Sequence, residues 1–285
     1  MRTTALVHLE ALRMAELLLV LEHLPPRARV LELGAGTGWQ ARALAARGFR
    51  VEALDLSTSL YAEARVFPVR EYDGHHLPYA AGEFDAVFSS SVLEHVAQVE
   101  ELLAEQVRVL VPGGRAVHVL PTPAWRLWTS LAHGPHLARL VWRRLARLFG
   151  GIAPPAAAEV AQRPAAAPRR SRLVGLFPER HGERGGAWSE LYLFSARAWR
   201  RLFERGGFRL ELSRPSGLFY TGHALLGARL PLGARRALAR ALGSACRVWV
   251  LETAADRSAN AEGPARPGPA PSVPSSLGAE AHGRA

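Results

Sequence analysis

The stretch Val30-Leu31-Glu32-Leu33-Gly34-Ala35-Gly36-Thr37-Gly38 constrains this chain more than any other. It reads as a short buried strand running straight into a glycine-rich turn. A helix pattern follows, with Trp39, Leu44, Ala45 and Phe49 at its apolar positions. A second strand, Arg50-Val51-Glu52-Ala53-Leu54, then ends on Asp55. Strand, glycine-rich turn, helix and acidic strand end make up a nucleoside-binding βαβ unit. The glycines let backbone approach a ligand that a Cβ would hold off. Asp55 stands where one carboxylate can accept hydrogen bonds from both hydroxyls of a ribose.

Spacing separates two kinds of nucleoside ligand. A dinucleotide site uses G-x-G-x-x-G, whose third glycine allows close helix packing beside a pyrophosphate. Here the pattern is G-x-G-x-G, and Trp39 takes the third position of the dinucleotide motif. Glu32 lies two residues before the first glycine. A carboxylate there repels a pyrophosphate but suits an ammonium, and S-adenosylmethionine carries both an ammonium and a ribose. The candidate cofactor residues in this unit are Glu32, Gly34, Ala35, Gly36, Thr37, Gly38, Asp55 and Leu56.

Three further segments carry a family likeness: Asp73-Gly74-His75-His76-Leu77-Pro78-Tyr79, Glu83-Phe84-Asp85-Ala86-Val87 continuing to Leu93-Glu94-His95-Val96, and Arg108-Val109-Leu110-Val111-Pro112-Gly113-Gly114. With the glycine-rich unit they resemble, in order, the motifs of class I S-adenosylmethionine-dependent methyltransferases. The resemblance is to the type 11 domain shared with quinone-biosynthesis methyltransferases. It covers about residues 28 to 120, and more weakly 188 to 252. It implies that Asp73, with Gly74, reads the adenine amino group, and that Ser89 and Ser90 line the methionine end. It also implies an α/β fold: a seven-stranded Rossmann-like sheet, mostly parallel with an antiparallel last strand, and helices on both faces.

Periodicity and breakers place strands at 29–33, 50–55, 66–70, 84–89, 114–120, 207–213 and 246–252. Helices are expected at 5–24, 37–47, about 58–64, 97–110, 195–205 and about 223–242. The methyltransferase domain is expected to comprise residues 1–120 and 188–253, interrupted by an insertion at 121–187. The Ala/Pro-rich middle of that insertion, Ile152 to Pro168, reads as mobile. Residues 254–285 have almost no large apolar side chain and read as a disordered tail.

A single cysteine, Cys246, excludes an internal disulfide framework and a cysteine metal cluster, and fits a reducing compartment. Charged residues interrupt the N-terminal apolar stretch, so it reads as an amphipathic helix rather than a signal peptide. No apolar run is long enough for a membrane span. The chain has no lysine; its net charge of +11 comes from arginine, and residues 121 to 184 hold eleven arginines against three acids, +8 of that total.

Methyl transfer is an in-line displacement with a neutral thioether as leaving group, so alignment and a dry site matter most. A hydroxyl acceptor also needs a base, and the catalytic candidates are His95, beyond the fourth strand, and His181, in a glycine-flanked loop. Each has a structural alternative: a hydrogen-bonder at a helix start, or an exposed linker. No His/Asp/Glu spacing matches a zinc or magnesium motif, so no metal site is expected. In the insertion, Leu137, Leu140, Val141, Leu145 and Leu148 recur at helical spacing beside Arg139, Arg143 and Arg147, with Trp125, Trp128 and Trp142. Residues 124–149 therefore suit an anionic membrane surface, or a lid docked on the domain.

The chain is thus expected to methylate a small-molecule or lipid-linked acceptor, at oxygen rather than carbon or nitrogen, in the cytoplasm or peripherally at the inner face of the membrane. A nucleic-acid methyltransferase using the arginine-rich insertion is the weaker alternative. Strand four ends Ser89-Ser90-Ser91 and not in the motif that holds a flipped base, and no nucleic-acid-binding module is present. A catalytically inactive methyltransferase-like binding protein would show damaged cofactor residues, and these are intact.

Overall fold

Strand β1 (Arg29–Leu33) runs through the middle of a seven-stranded sheet, which is why Val30, Leu31 and Leu33 are an apolar run with no exposure at all. The computed structural model describes residues 4–148, 178, 180–222 and 229–253. The described residues between 4 and 253 belong to one compact unit. The expectations for Ile152 to Pro168 and for the tail from 254 lie outside the described residues, as does the stretch 223–228 of the last expected helix.

After β1 come helix α2 (Trp39–Ala45), β2 (Arg50–Leu56), β3 (Arg70–Tyr72), β4 (Phe84–Ser90), α3 (Val99–Val109) and β5 (Leu110–Pro121). Helix α1 (Thr4–Leu21) precedes them. Then follow α4 (Pro123–Leu148), the short α5 (Glu190–Leu193), α6 (Ala196–Arg205), β6 (Phe208–Pro215), α7 (Leu232–Leu242) and β7 (Cys246–Thr253). The sheet order is β3-β2-β1-β4-β5-β7-β6, with β7 antiparallel to both its neighbours and every other pairing parallel. This is the expected mostly parallel sheet with a reversed last strand. Two apolar cores flank it. One joins Leu31, Leu33 and Val87 to Leu103, Trp199 and Phe203; the other joins Val30, Phe88 and Val117 to Leu17, Val20 and Leu44.

Some boundaries differ from those the pattern predicts. The third strand is three residues, 70–72, rather than 66–70: Pro68 has no N–H for a ladder, and Phe67 and Val69 pack against the Gly38 turn instead. The helix expected near 58–64 shrinks to a 3-10 turn at Ala62–Ala64. Strand β5 starts four residues early, pairing Leu110 with Phe84 across a bulge. Helix α7 starts after Pro231, whose fixed φ and missing N–H suit a helix entry.

The insertion boundary at 121 does not coincide with a structural break. Trp125 is buried in the main core, Arg126 is buried, and Thr122 caps the start of α4, its Oγ1 accepting from Trp125 N at 3.2 Å. The first turns of α4 therefore belong to the domain.

Candidate active site

Four parallel strands, β1 to β4, end on the same edge of the sheet, and the residues singled out by sequence collect there. Beyond β1, Gly34, Gly36 and Gly38 take φ of 65°, 57° and 73°, the left-handed region a Cβ disfavours. The tight turn brings Ala35 N to Leu54 O at 2.9 Å and Gly38 N to Ala35 O at 2.8 Å, so the loop folds back over the end of β2. Ala35 is buried in this turn, and Thr37 O accepts from Val66 N at 2.8 Å.

Two carboxylates stand beneath this loop. Glu32 is 2% exposed and Asp55 9% exposed, and each has one oxygen (Oε2 and Oδ2) with no hydrogen-bond partner among the described residues. The other Asp55 oxygen accepts from Leu56 N at 2.9 Å. Burial, reinforced by the Asp55 charge, pushes the Glu32 carboxyl up to about 8, although the Ala41 N–H donates to it. Two buried acids with unpartnered oxygens are costly without donors. An ammonium for Glu32 and ribose hydroxyls for Asp55 match that need, so the residues fit the cofactor that the sequence implies.

Across the rim, Asp73 Oδ1 accepts from His75 N at 2.8 Å and His76 N at 2.9 Å, and these backbone bonds hold the exposed Asp73 carboxyl below its usual range. Gly74 closes the turn at φ 90°, against Leu56. Leu56 is itself exposed beside Asp55, a flat apolar ledge at the strand ends. The two serines of β4 part company. Ser89 is buried and its hydroxyl pairs with His118 Nδ1 at 2.9 Å, so it faces β5 rather than the rim. Ser90 Oγ is buried and has no hydrogen-bond partner among the described residues.

Ser91 follows at φ 56°, an unusual conformation for a side-chain-bearing residue and one that marks functional turns. Its Oγ accepts from Arg13 Nη2 at 2.7 Å. Arg13 pairs with buried Glu16 at 2.9 Å, Tyr220 donates to Glu16 at 2.8 Å, and Tyr220 also meets Cys246 Sγ at 2.9 Å. Helix α1, the end of β4, the segment after β6 and the start of β7 thus meet in one buried polar network. Sequence reading did not find it. The signal was present in Arg13 and Glu16, opposite charges three apart on a mostly apolar helix.

His95 and His181, which the sequence offers separately, come together. Their ring centroids are 4.6 Å apart, and Trp125 packs on His181 at 4.4 Å. Glu190 Oε1 holds the loop by accepting from His181 N and Gly182 N, both at 2.7 Å. Its Oε2 pairs with Arg126 at 3.0 Å, an ion pair with side-chain exposures of 2% and 0%. A Cβ on Gly182 would lie 2.5 Å from Glu94 O, so only glycine allows this approach. Burial lowers both imidazoles. His181 falls to about 3, with His95 and Arg126 adding to the effect, so both rings are neutral near pH 7. Such a depressed histidine is a weak general base. His133 and His136 lie within α4.

Comparison with known proteins agrees with this geometry. A methyltransferase domain family matches residues 31–118. The biotin biosynthesis bifunctional protein BioHC of Cellvibrio japonicus is 35% identical over 137 residues, 44% of this chain and 27% of that protein. A demethylmenaquinone methyltransferase of Beutenbergia cavernae is 40% identical over 111 residues, 37% of this chain and 46% of that protein. A malonyl (acyl-carrier protein) O-methyltransferase of Enterobacter lignolyticus is 32% identical over 136 residues, 44% of this chain and 54% of that protein. The chain spans about a quarter to a half of the length of these relatives.

Proposed function

We infer, from the premise that this chain is a class I S-adenosylmethionine-dependent methyltransferase, that it methylates a small hydrophobic or lipid-linked acceptor, at oxygen in preference to carbon or nitrogen. The observation that carries the reading is the pair of buried carboxylates, Glu32 and Asp55, each with an unpartnered oxygen under a left-handed glycine turn. The bound cofactor supplies an activated methyl group on a sulfonium. In this reading Glu32 takes its ammonium, Asp55 its ribose, and the backbone of Gly34, Ala35, Gly36, Thr37 and Gly38 gives it room. Leu56, Asp73 and Gly74 flank its adenine. Ser90 lines the methionine end, with Ser89 behind it fixing β4 to β5 through His118.

The acceptor then lies beyond Ser91, against His95, His181 and Trp125, which exclude water and offer an aromatic wall. Two of the relatives are named for a quinone precursor and a malonyl thioester, which supports an acceptor that is apolar or carried on a long arm. Calorimetry with S-adenosylmethionine and S-adenosylhomocysteine tests the cofactor half. Asp55→Ala removes two charge-assisted hydrogen bonds of roughly 1.5–3 kcal/mol each, so affinity is expected to drop about a hundredfold or more. Failure of the well-folded wild type to bind either compound refutes the reading. Demethylated quinols and malonyl thioesters are the first acceptors to supply.

The exposed side of α4 supports a second contact. Leu127, Leu131, Trp142 and Leu145 are all exposed, and at 100° per residue they fall within one narrow stripe. Such a stripe, on a helix whose sequence is rich in arginine, suits an anionic lipid surface. Among the described residues no helix is long and apolar enough to cross a membrane.

A further inference from the structure

The fold brings together three potential metal ligands that no spacing in the sequence joins. Glu94 and His95 sit in the 3-10 turn Leu93–His95 directly after β4, and His181 arrives from the loop that Glu190 staples in place. One ligand atom from each of Glu94, His95 and His181 lies within 4.8 Å of the other two. Glu94 is 2% exposed, and neither of its carboxylate oxygens makes a hydrogen bond of ordinary geometry with the described residues. His95 Nε2 is buried and likewise has no hydrogen-bond partner among the described residues. A buried carboxyl approached only by its own N–H and the Ser91 hydroxyl, neither in ordinary hydrogen-bond geometry, is costly to bury, and it sits beside a buried imidazole nitrogen.

We propose that Glu94, His95 and His181 form a binding site for one divalent cation of the zinc or cobalt class, placed beside the acceptor end of the methyl-transfer site. Two imidazoles and one carboxylate match that class, and three protein ligands leave a coordination position for a further oxygen. Ligands about 2.0–2.2 Å from one tetrahedral ion stand roughly 3.4 Å apart, so from separations of up to 4.8 Å the side chains must close in by as much as about an ångström and a half on binding. Of the guanidiniums near the cluster, Arg13 is offset by Glu16 and Arg126 by Glu190, while Arg184 also acts on Glu94. The backbone on either side is held, with Glu183 N donating to Glu94 O at 3.0 Å. An acceptor oxygen reaching the open position would be polarised by the ion.

Cobalt titration of the chelator-stripped full chain tests this, read by visible ligand-field absorption and by calorimetry, with zinc competition. The wild type is expected to bind one cobalt per chain with a tetrahedral or five-coordinate spectrum, displaced by zinc. Glu94→Gln and His181→Ala are each expected to weaken binding at least tenfold while S-adenosylhomocysteine affinity stays within about twofold. Circular dichroism verifies folding, and His95→Asn replaces either variant that unfolds. No cobalt binding by the folded wild type overturns the proposal, as does binding undiminished in the folded variants. The cofactor titration is read separately, so loss of the metal site and loss of the methyltransferase reading are distinguishable.

Discussion

At the scale of single residues, Glu32 is a proton switch. Its folded pKa of about 8 exceeds the ordinary value of 4.5, so between those values the folded chain holds more proton than the unfolded one. Its contribution to stability is full at low pH and is lost as pH rises toward 8. Urea midpoints of the free wild type should therefore fall faster between pH ~5 and ~8 than those of Glu32→Gln, which cannot titrate. Part of the slope should survive the substitution, since burial also pushes Glu94 up to about 7. His118 and His181, both lowered by burial to about 3, work in the opposite sense and favour the fold as pH rises toward 6.5. A cationic ammonium selects ionised Glu32, so cofactor binding near pH 7 should release a proton. Calorimetry in buffers of different ionisation enthalpy reads that release, and identical enthalpies in all buffers would refute it.

At the scale of elements, the clamp between α4, α5 and the loop 180–186 decides how the acceptor side is built. Glu190 ties all three, through Arg126 on one side and the His181 and Gly182 amides on the other. Glu190→Gln removes the buried counter-charge of Arg126 and should cost about 3 kcal/mol, with amide exchange accelerated at 180–186 and little changed in β1 and β4. The other face of α4 answers a different question. Replacing Leu131 and Trp142 by glutamate should abolish flotation with anionic vesicles without changing the melting temperature by more than ~2 °C. A wild type that never floats disproves the lipid contact. These elements also show how much was legible in sequence. The glycine turn, Glu32 and Asp55 were readable because a βαβ unit is local and its geometry follows from thirty consecutive residues. Residues 121–187 read as a basic insertion, a docked lid or a membrane contact, because the arginines and leucines of α4 repeat at helical spacing, while the burial of Trp125 and Arg126 depends on partners far along the chain. Glu94 passed as one letter of a motif, and its meeting with His181 depends on a loop more than eighty residues away. Arg13, Tyr220 and Cys246 join through topology alone.

At the scale of the whole molecule, the reversed strand β7 completes the sheet. It pairs with β5 from Arg115↔Glu252 to Pro121↔Cys246 and with β6 on its other side. Cys246, at its start, is the chain's one thiol; it is buried, and burial and the neighbouring Glu16 push its pKa well up. The native protein should leave Cys246 unreactive toward thiol reagents, with labelling appearing only in denaturant along the same transition as the loss of helical signal. Rapid labelling of the folded protein would show that this end of the sheet opens by itself. The position of β7 also governs when the protein can work. During synthesis β6 emerges before β7 yet cannot join the sheet, because β7, the strand that links it to β5, has not been made. The network around Arg13 likewise waits for Tyr220 and Cys246, two hundred residues behind the helix they fasten. A nascent chain that already carries its complete glycine turn and both ligand-seeking acids therefore has no roof over the place where the methyl group would be delivered. In chain order, the glycine turn and both acids are complete long before the strand that closes the sheet.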